Sequence, residues 1–142
     1  MALIPIAPAF TDPSPLELPL FVSRIRAGFP SPADDFMDDP LDLNKFLVKR
    51  PAATYFVRVE GDSLQDINIH DGDLLIVDRS AKQSHGSVVV AAIDGEMTCK
   101  ILDKKGKKLL PANKDFKPID IADRDDVVIE GVVMHSIKCH LK

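Results

Sequence analysis

Ser63 and Lys100 are the residues whose types and surroundings offer covalent chemistry. Ser63 lies in Val59-Glu60-Gly61-Asp62-Ser63-Leu64, directly after the strand-like run Tyr55-Phe56-Val57-Arg58-Val59. Lys100 lies in a second strand-like run, Glu96-Met97-Thr98-Cys99-Lys100-Ile101-Leu102. A lysine among apolar neighbours matters because burial penalises its charged form. A neutral lysine is a base, and a base beside a serine makes a nucleophile. The chain also offers a bond to attack: Arg26-Ala27-Gly28-Phe29 sits in a Pro-rich arm, with two small residues that a narrow groove admits. Serine, lysine and small-residue bond together imply self-cleavage.

The energetics state what such a pair requires. With an ordinary pKa near 10.4, roughly one lysine in 2,500 is neutral at pH 7. Making about half of it neutral costs about 4–5 kcal/mol, at 1.36 per pKa unit. Desolvation or a nearby positive charge must supply that shift. The alternating pattern of a strand puts Lys100 on one face with Thr98 and Leu102, opposite Met97, Cys99 and Ile101, without saying which face is buried. The oxyanion formed by attack on a carbonyl also needs donors. The backbone N–H groups of Asp62 and Ser63, in the Gly61-Asp62-Ser63 turn, are the simplest candidates.

Other nucleophile systems fit less well. A Ser-x-x-Lys spacing fails, because Asp66 stands three after Ser63. The string Gly61-Asp62-Ser63-Leu64 matches that of lipase-like esterases. Their Asp-x-x-His partner is absent, since Val132 and Ile137 stand three before His135 and His140. A Ser-His-Asp triad with His70, His85, His135 or His140 stays arithmetically open. Cys139-His140 and the solitary Cys99 lack metal-ligand spacing, the acidic pairs Asp34-Asp35 and Asp38-Asp39 read as solvated linker, and no glycine-rich phosphate loop occurs. No metal or cofactor is expected.

Proline draws the boundary among the elements that must position the pair. Eight of the 11 prolines fall in residues 1–40, with only Pro51, Pro111 and Pro118 after them. Proline removes backbone donors and is excluded from helix interiors and central strands. Residues 1–40 therefore read as an extended or irregular arm, and Leu18 to Ala27 as either a helical turn or a strand. Residues 41–142 read as the folded domain. Leu41–Val48 has roughly helical spacing. Strands are expected over Thr54–Val59, Asp73–Asp78, Ser87–Ile93, Glu96–Leu102, Lys107–Leu110 and Val127–Lys138. Asp94-Gly95 is a two-residue hairpin signal, and Asp71-Gly72 and Lys104–Lys107 mark further turns. Many short strands with little helix imply a mostly β fold, a compact twisted antiparallel domain.

The 142 residues are 45% apolar, enough for one real core. Aromatics make up only 6% and Trp is absent, so that core rests on Val, Ile and Leu. The longest apolar runs are too short to span a membrane, and the prolines and the lack of a basic residue before Arg24 do not make a signal peptide. Cys99 and Cys139 are expected as reduced thiols in a cytoplasmic protein. Residues 1–40 carry six acids and two bases, a net of −4, and the rest carry 16 of each sign. No large basic field exists, so tight intrinsic nucleic-acid binding is not expected. The basic cluster Lys104-Lys105-Gly106-Lys107-Lys108 reads as a solvated hairpin tip.

Several stretches carry a family resemblance: Phe29-Pro30-Ser31-Pro32-Ala33, Leu41-Asp42-Leu43-Asn44, Ala53-Thr54-Tyr55-Phe56-Val57, Gly61-Asp62-Ser63, Asp71-Gly72-Asp73-Leu74-Leu75-Ile76-Val77-Asp78, Ser84-His85-Gly86, Asp94-Gly95-Glu96 and Lys100. Over nearly its full length the chain resembles the UmuD-type SOS mutagenesis proteins, of the LexA/UmuD-like Ser–Lys autoprotease family. The resemblance implies a β-rich homodimer with the fold of the LexA C-terminal domain. It implies self-cleavage stimulated by RecA filaments on single-stranded DNA, after which the trimmed chain joins a UmuC-type Y-family polymerase in translesion synthesis. By motif, Ser63 is the nucleophile, Lys100 the general base and Ala27–Gly28 the scissile bond. Leu64 stands for a usual methionine, Ala27 for the cysteine of the best-known UmuD, and Ser87 for a common Asp, which points to a homologue. Two other readings are a non-enzymatic dimeric interaction module of the same fold and a fragment of a LexA-type repressor. A third is a general serine hydrolase, which would turn over small esters.

Overall fold

A computed structural model describes residues 2–8, 15–21 and 37–141 of the chain. Its main element is a curled eight-stranded sheet in which every neighbouring pair is antiparallel. In chain order the strands are β1 (Ala2–Pro8), β2 (Glu17–Phe21), β3 (Met37–Asp42), β4 (Thr54–Glu60), β5 (Leu74–Asp78), β6 (Val88–Ile93), β7 (Glu96–Asp103), β8 (Lys108–Leu110), β9 (Ile119–Asp120) and β10 (Val127–Ile137). The sheet order is β1-β4-β5-β10-β6-β7-β8-β9, with β2 and β3 forming a separate ribbon. The mostly β class is as expected, and the six strands read from the sequence are present with ends shifted by a residue or two.

The helical spacing at Leu41–Val48 overreached. The helix α1 covers only Leu43–Leu47, because Leu41 and Asp42 already belong to β3. Asp42 closes that strand and caps the helix, its carboxylate accepting from the N–H groups of Asn44 and Lys45. The prolines of β1 and β3 are tolerated because both strands lie at sheet edges, and the pairing shifts register beside them, between Pro5 and Pro8 in β1 and around Pro40 in β3. Ala27 and Gly28 lie outside the described residues, as do Phe29–Ala33.

Turn chemistry fixes the register near the site. Asp94 and Gly95 have φ of 50° and 83°, as a tight hairpin turn requires, and they join β6 to β7 with Ile93 facing Glu96. The long strand β10 links β5 to β6 through a register shift between Ile129 and Gly131. A Cβ at Gly131 would lie 2.6 Å from the Val77 side chain, so this close approach needs glycine.

Two apolar clusters flank the sheet. One gathers Tyr55, Val57, Val59, Leu64, Leu75, Val77, Val90 and Cys99. The other gathers Val89, Ala91, Leu102, Leu109 and Val132. Strand β7 thus has cover on both faces. That is how Cys99 and Lys100, adjacent and pointing oppositely, are both buried.

Candidate active site

Ser63 is positioned from both sides along the chain. Strand β4 ends at Glu60, and Gly61 turns the backbone sharply at φ 91°. The Gly61 N–H donates to the Asp71 carboxylate at 2.9 Å, fixing where the turn begins. Leu64 inserts into the first core, fully buried, and a single 3-10 turn follows at Gln65–Ile67. Ser63 is therefore held between a pinned glycine and a core anchor and is itself wholly buried, at 0% exposure.

Lys100 arrives from mid-β7, paired with Val89 of β6. On its other side β8 ends at Leu110, and Pro111, lacking an N–H, cannot extend the ladder. The chain then leaves the sheet and crosses to the serine. Ala112 N–H donates to Ser63 O at 2.7 Å, and Asp66 N–H donates to Ala112 O at 2.8 Å. Asn113 Nδ2 adds a bond of 2.8 Å to Asp62 O. This strap, residues 111–113, ties the end of the β7–β8 hairpin to the serine turn.

The outcome is one short contact. Lys100 Nζ donates to Ser63 Oγ at 3.0 Å, with Lys100 only 4% exposed. At that separation a neutral amine can equally accept the serine proton. Burial pulls the Lys100 pKa below its ordinary value. A thiolate at Cys99 would oppose that shift, but burial pushes the Cys99 thiol up to about 12, so at neutral pH it carries no charge. The Phe116 ring lies 6.0 Å from Lys100 Nζ and shields it further. Beside the lysine runs a groove of about 340 Å³, with Met97, Thr98, Phe116 and Ile119 among its walls.

The N–H groups of Asp62 and Ser63 donate to no protein acceptor among the described residues. No histidine bonds the Ser63 hydroxyl there either. His70 lies against Lys138, His85 accepts from Lys104 N–H, and His135 packs on Phe46. Among the described residues no group of three or more His, Cys, Asp or Glu side chains is arranged to hold a metal. Asn113 and the strap are not evident from the sequence. Their signal, a proline closing a strand with an asparagine two residues on, was weak.

Comparison with known proteins decides the family. The Peptidase S24-like model matches residues 19–134. The chain belongs to the Peptidase S24-like family. S24 proteins are self-cleaving serine proteases of LexA and UmuD type. This member is 48% identical to Protein MucA of Salmonella typhimurium over 126 residues, covering 87% of the chain and 86% of MucA. Protein ImpA of Shigella flexneri is 44% identical over 119 residues, covering 84% of the chain and 82% of ImpA. Both are UmuD-family proteins. The LexA repressor of Xylella fastidiosa is 40% identical over 129 residues, which is 89% of the chain and 60% of the repressor. No helix among the described residues is long and apolar enough to cross a membrane.

Proposed function

We propose that this S24 protein is a RecA-stimulated protease that cuts its own N-terminal arm between Ala27 and Gly28, using Ser63 as nucleophile and Lys100 as general base. The 3.0 Å contact between Lys100 Nζ and Ser63 Oγ, out of water, carries the reading. Neutral Lys100 takes the Ser63 proton as Oγ attacks the Ala27 carbonyl carbon. The oxyanion is stabilised by the Asp62 and Ser63 N–H groups. Collapse breaks the Ala27–Gly28 bond, and Lys100 returns the proton to the leaving Gly28 amine. Water then hydrolyses the Ser63 ester, with Lys100 again as base. The groove beside Lys100 accepts the arm in extended form. Small residues at the bond let its carbonyl approach a serine that is otherwise fully covered.

The division of the chain follows from this: residues 1–40 carry the cleavage site, and residues 41–142 form the protease and dimerisation domain. The UmuD-family relatives support a role in the SOS response. There the trimmed cytoplasmic homodimer serves as accessory subunit of a UmuC-type error-prone translesion polymerase. The test is intact-mass measurement and N-terminal sequencing after incubation with RecA, single-stranded DNA and a nucleotide. A product starting at Gly28, absent from Ser63→Ala, is expected. No cleavage with an active filament, or a cut elsewhere, refutes the assignment.

A further inference from the structure

Asn113 is 7% exposed, and both ends of its carboxamide are engaged. Its Nδ2 donates to Asp62 O at 2.8 Å, and its Oδ1 accepts from Asp115 N–H at 3.0 Å. A backbone N–H can only donate, so the amide has one permitted orientation. Asp62 O also accepts from Gln65 N–H at 3.1 Å and is thus held from two directions. That carbonyl belongs to the same peptide unit as the Ser63 N–H. The described residues contain no cis peptide, and in a planar trans peptide the N–H points opposite to the C=O. Fixing the Asp62 carbonyl therefore fixes the aim of the Ser63 N–H. Although Ser63 is wholly buried, this N–H has no protein acceptor among the described residues. Buried orphan donors are rare in native interiors, and an oxyanion site is one place where such a donor has a use.

From these contacts we infer that Asn113 is a positioning residue for the reaction, acting through the Asp62–Ser63 peptide to hold the Ser63 N–H toward the developing oxyanion. The inference rests on the proposed role of Ser63. The strap does not need the Asn113 side chain to stay in place, because the backbone bonds of Ala112 and Asp66 already tie it to the serine turn. Without Asn113, Asp62 O keeps only the longer bond from Gln65, and the peptide plane is free to rotate. Asn113→Gln retains the donor, and the open pocket of about 360 Å³ beside the strap gives the longer side chain room.

The test is self-cleavage of the full chain in alkali without RecA, followed by intact mass across pH, below the melting temperature of every variant. Asn113→Ala is expected to lower the plateau rate about 100-fold, the scale of a small misplacement at a reacting centre. The pH at which the rate levels off stays put, because Lys100 is untouched. Asn113→Gln recovers a large part of the loss. Should Asn113→Ala not fold, Asn113→Ser, whose uncharged side chain is too short to reach Asp62 O, gives the same reading. A donor-lacking variant that folds and cleaves at the wild-type rate overturns the inference and leaves Ser63 in its role. So does a pH profile that shifts along with the rate, which would mark general loosening around Lys100. A wild-type chain that does not cleave, or a Ser63→Ala chain that does, overturns the underlying reading and the inference with it.

Discussion

Removing the Lys100 amine should stabilise the protein at neutral pH, and by less as the pH rises. The perturbation is Lys100→Met, made in a Ser63→Ala background so that no hydroxyl loses its hydrogen-bond partner. Methionine keeps the length and apolar stem of the lysine at a site only 4% exposed. Burial lowers the folded-state pKa of Lys100 below the unfolded value of about 10.4. At a pH below both values the lysine is charged in both states, and the folded protein bears the full desolvation penalty. Between the two values the unfolded chain holds the extra proton, so the stability of the lysine-containing protein climbs with pH. The climb approaches about 1.4 kcal/mol per pH unit in that window and ends above about 10.4. The advantage of Lys100→Met should shrink at the same rate. The assay is urea unfolding followed by far-UV circular dichroism, since the chain has no Trp, at a series of pH values from about 6 to 11. Tyr55, which burial raises to about 12, is common to both proteins and cancels in the difference, and Cys99, whose ionisation Lys100 favours, stays a thiol in both folded proteins over most of this range because burial raises it to about 12. A Lys100→Met variant less stable than its parent at pH 7, or a gap independent of pH, would refute a desolvated lysine.

Gly28→Lys should block cleavage without lowering the melting temperature, because a long charged side chain cannot enter a groove that takes small residues; cleavage at the wild-type rate would show that the bond lies elsewhere. Fragment 28–142 should remain a folded dimer by sedimentation. Loss of β1 bares an edge of β4, so exchange of β4 amides facing β1 should accelerate while β6 and β7 keep their protection. At Asp78, 1% exposed, burial pushes the carboxyl pKa up, but hydrogen bonds from Ser80 and the Arg50 guanidinium outweigh it and leave the pKa lowered. A lowered carboxyl stabilises the fold above about pH 3.9, and the gain is lost as pH falls through the folded value. Asp78→Asn should cost about 1–2 kcal/mol at pH 7, because it weakens the hydrogen bonds from Ser80 and Arg50 while the half-exposed Arg50 guanidinium stays hydrated, with a smaller loss in acid, as urea unfolding would report.

Most of the sheet was legible because its signals are local. Alternation marked β4, β7 and β10, and Asp94-Gly95 fixed the β6–β7 register through positive φ angles that only certain residues adopt readily. The Pro-rich arm was harder. Proline disqualifies a central strand but not an edge strand, and β1 and β3 are edges. The two-residue β9 is too short to show a period. Ser63 and Lys100 stood out by residue type and by resemblance, yet their meeting depends on contacts far apart in sequence. The strap at 111–113 brings them together, and neither it nor Asn113 has a local signature. Nor did alternation reveal that Lys100 is buried. It assigns Cys99 and Lys100 to opposite faces, and the lysine is covered by the Ser63 turn and the Phe116 ring, which come from distant parts of the sequence.

The central claim is that Lys100 acts as the base for Ser63, and the pH dependence of self-cleavage without RecA tests it most directly. The wild-type rate should rise with pH as the free amine accumulates and then level off, giving a product that begins at Gly28. Lys100→Ala and Ser63→Ala, both folded, should lose the activity, and with it the pH dependence. A Lys100→Ala protein that still cuts between Ala27 and Gly28 near the wild-type rate would contradict the account.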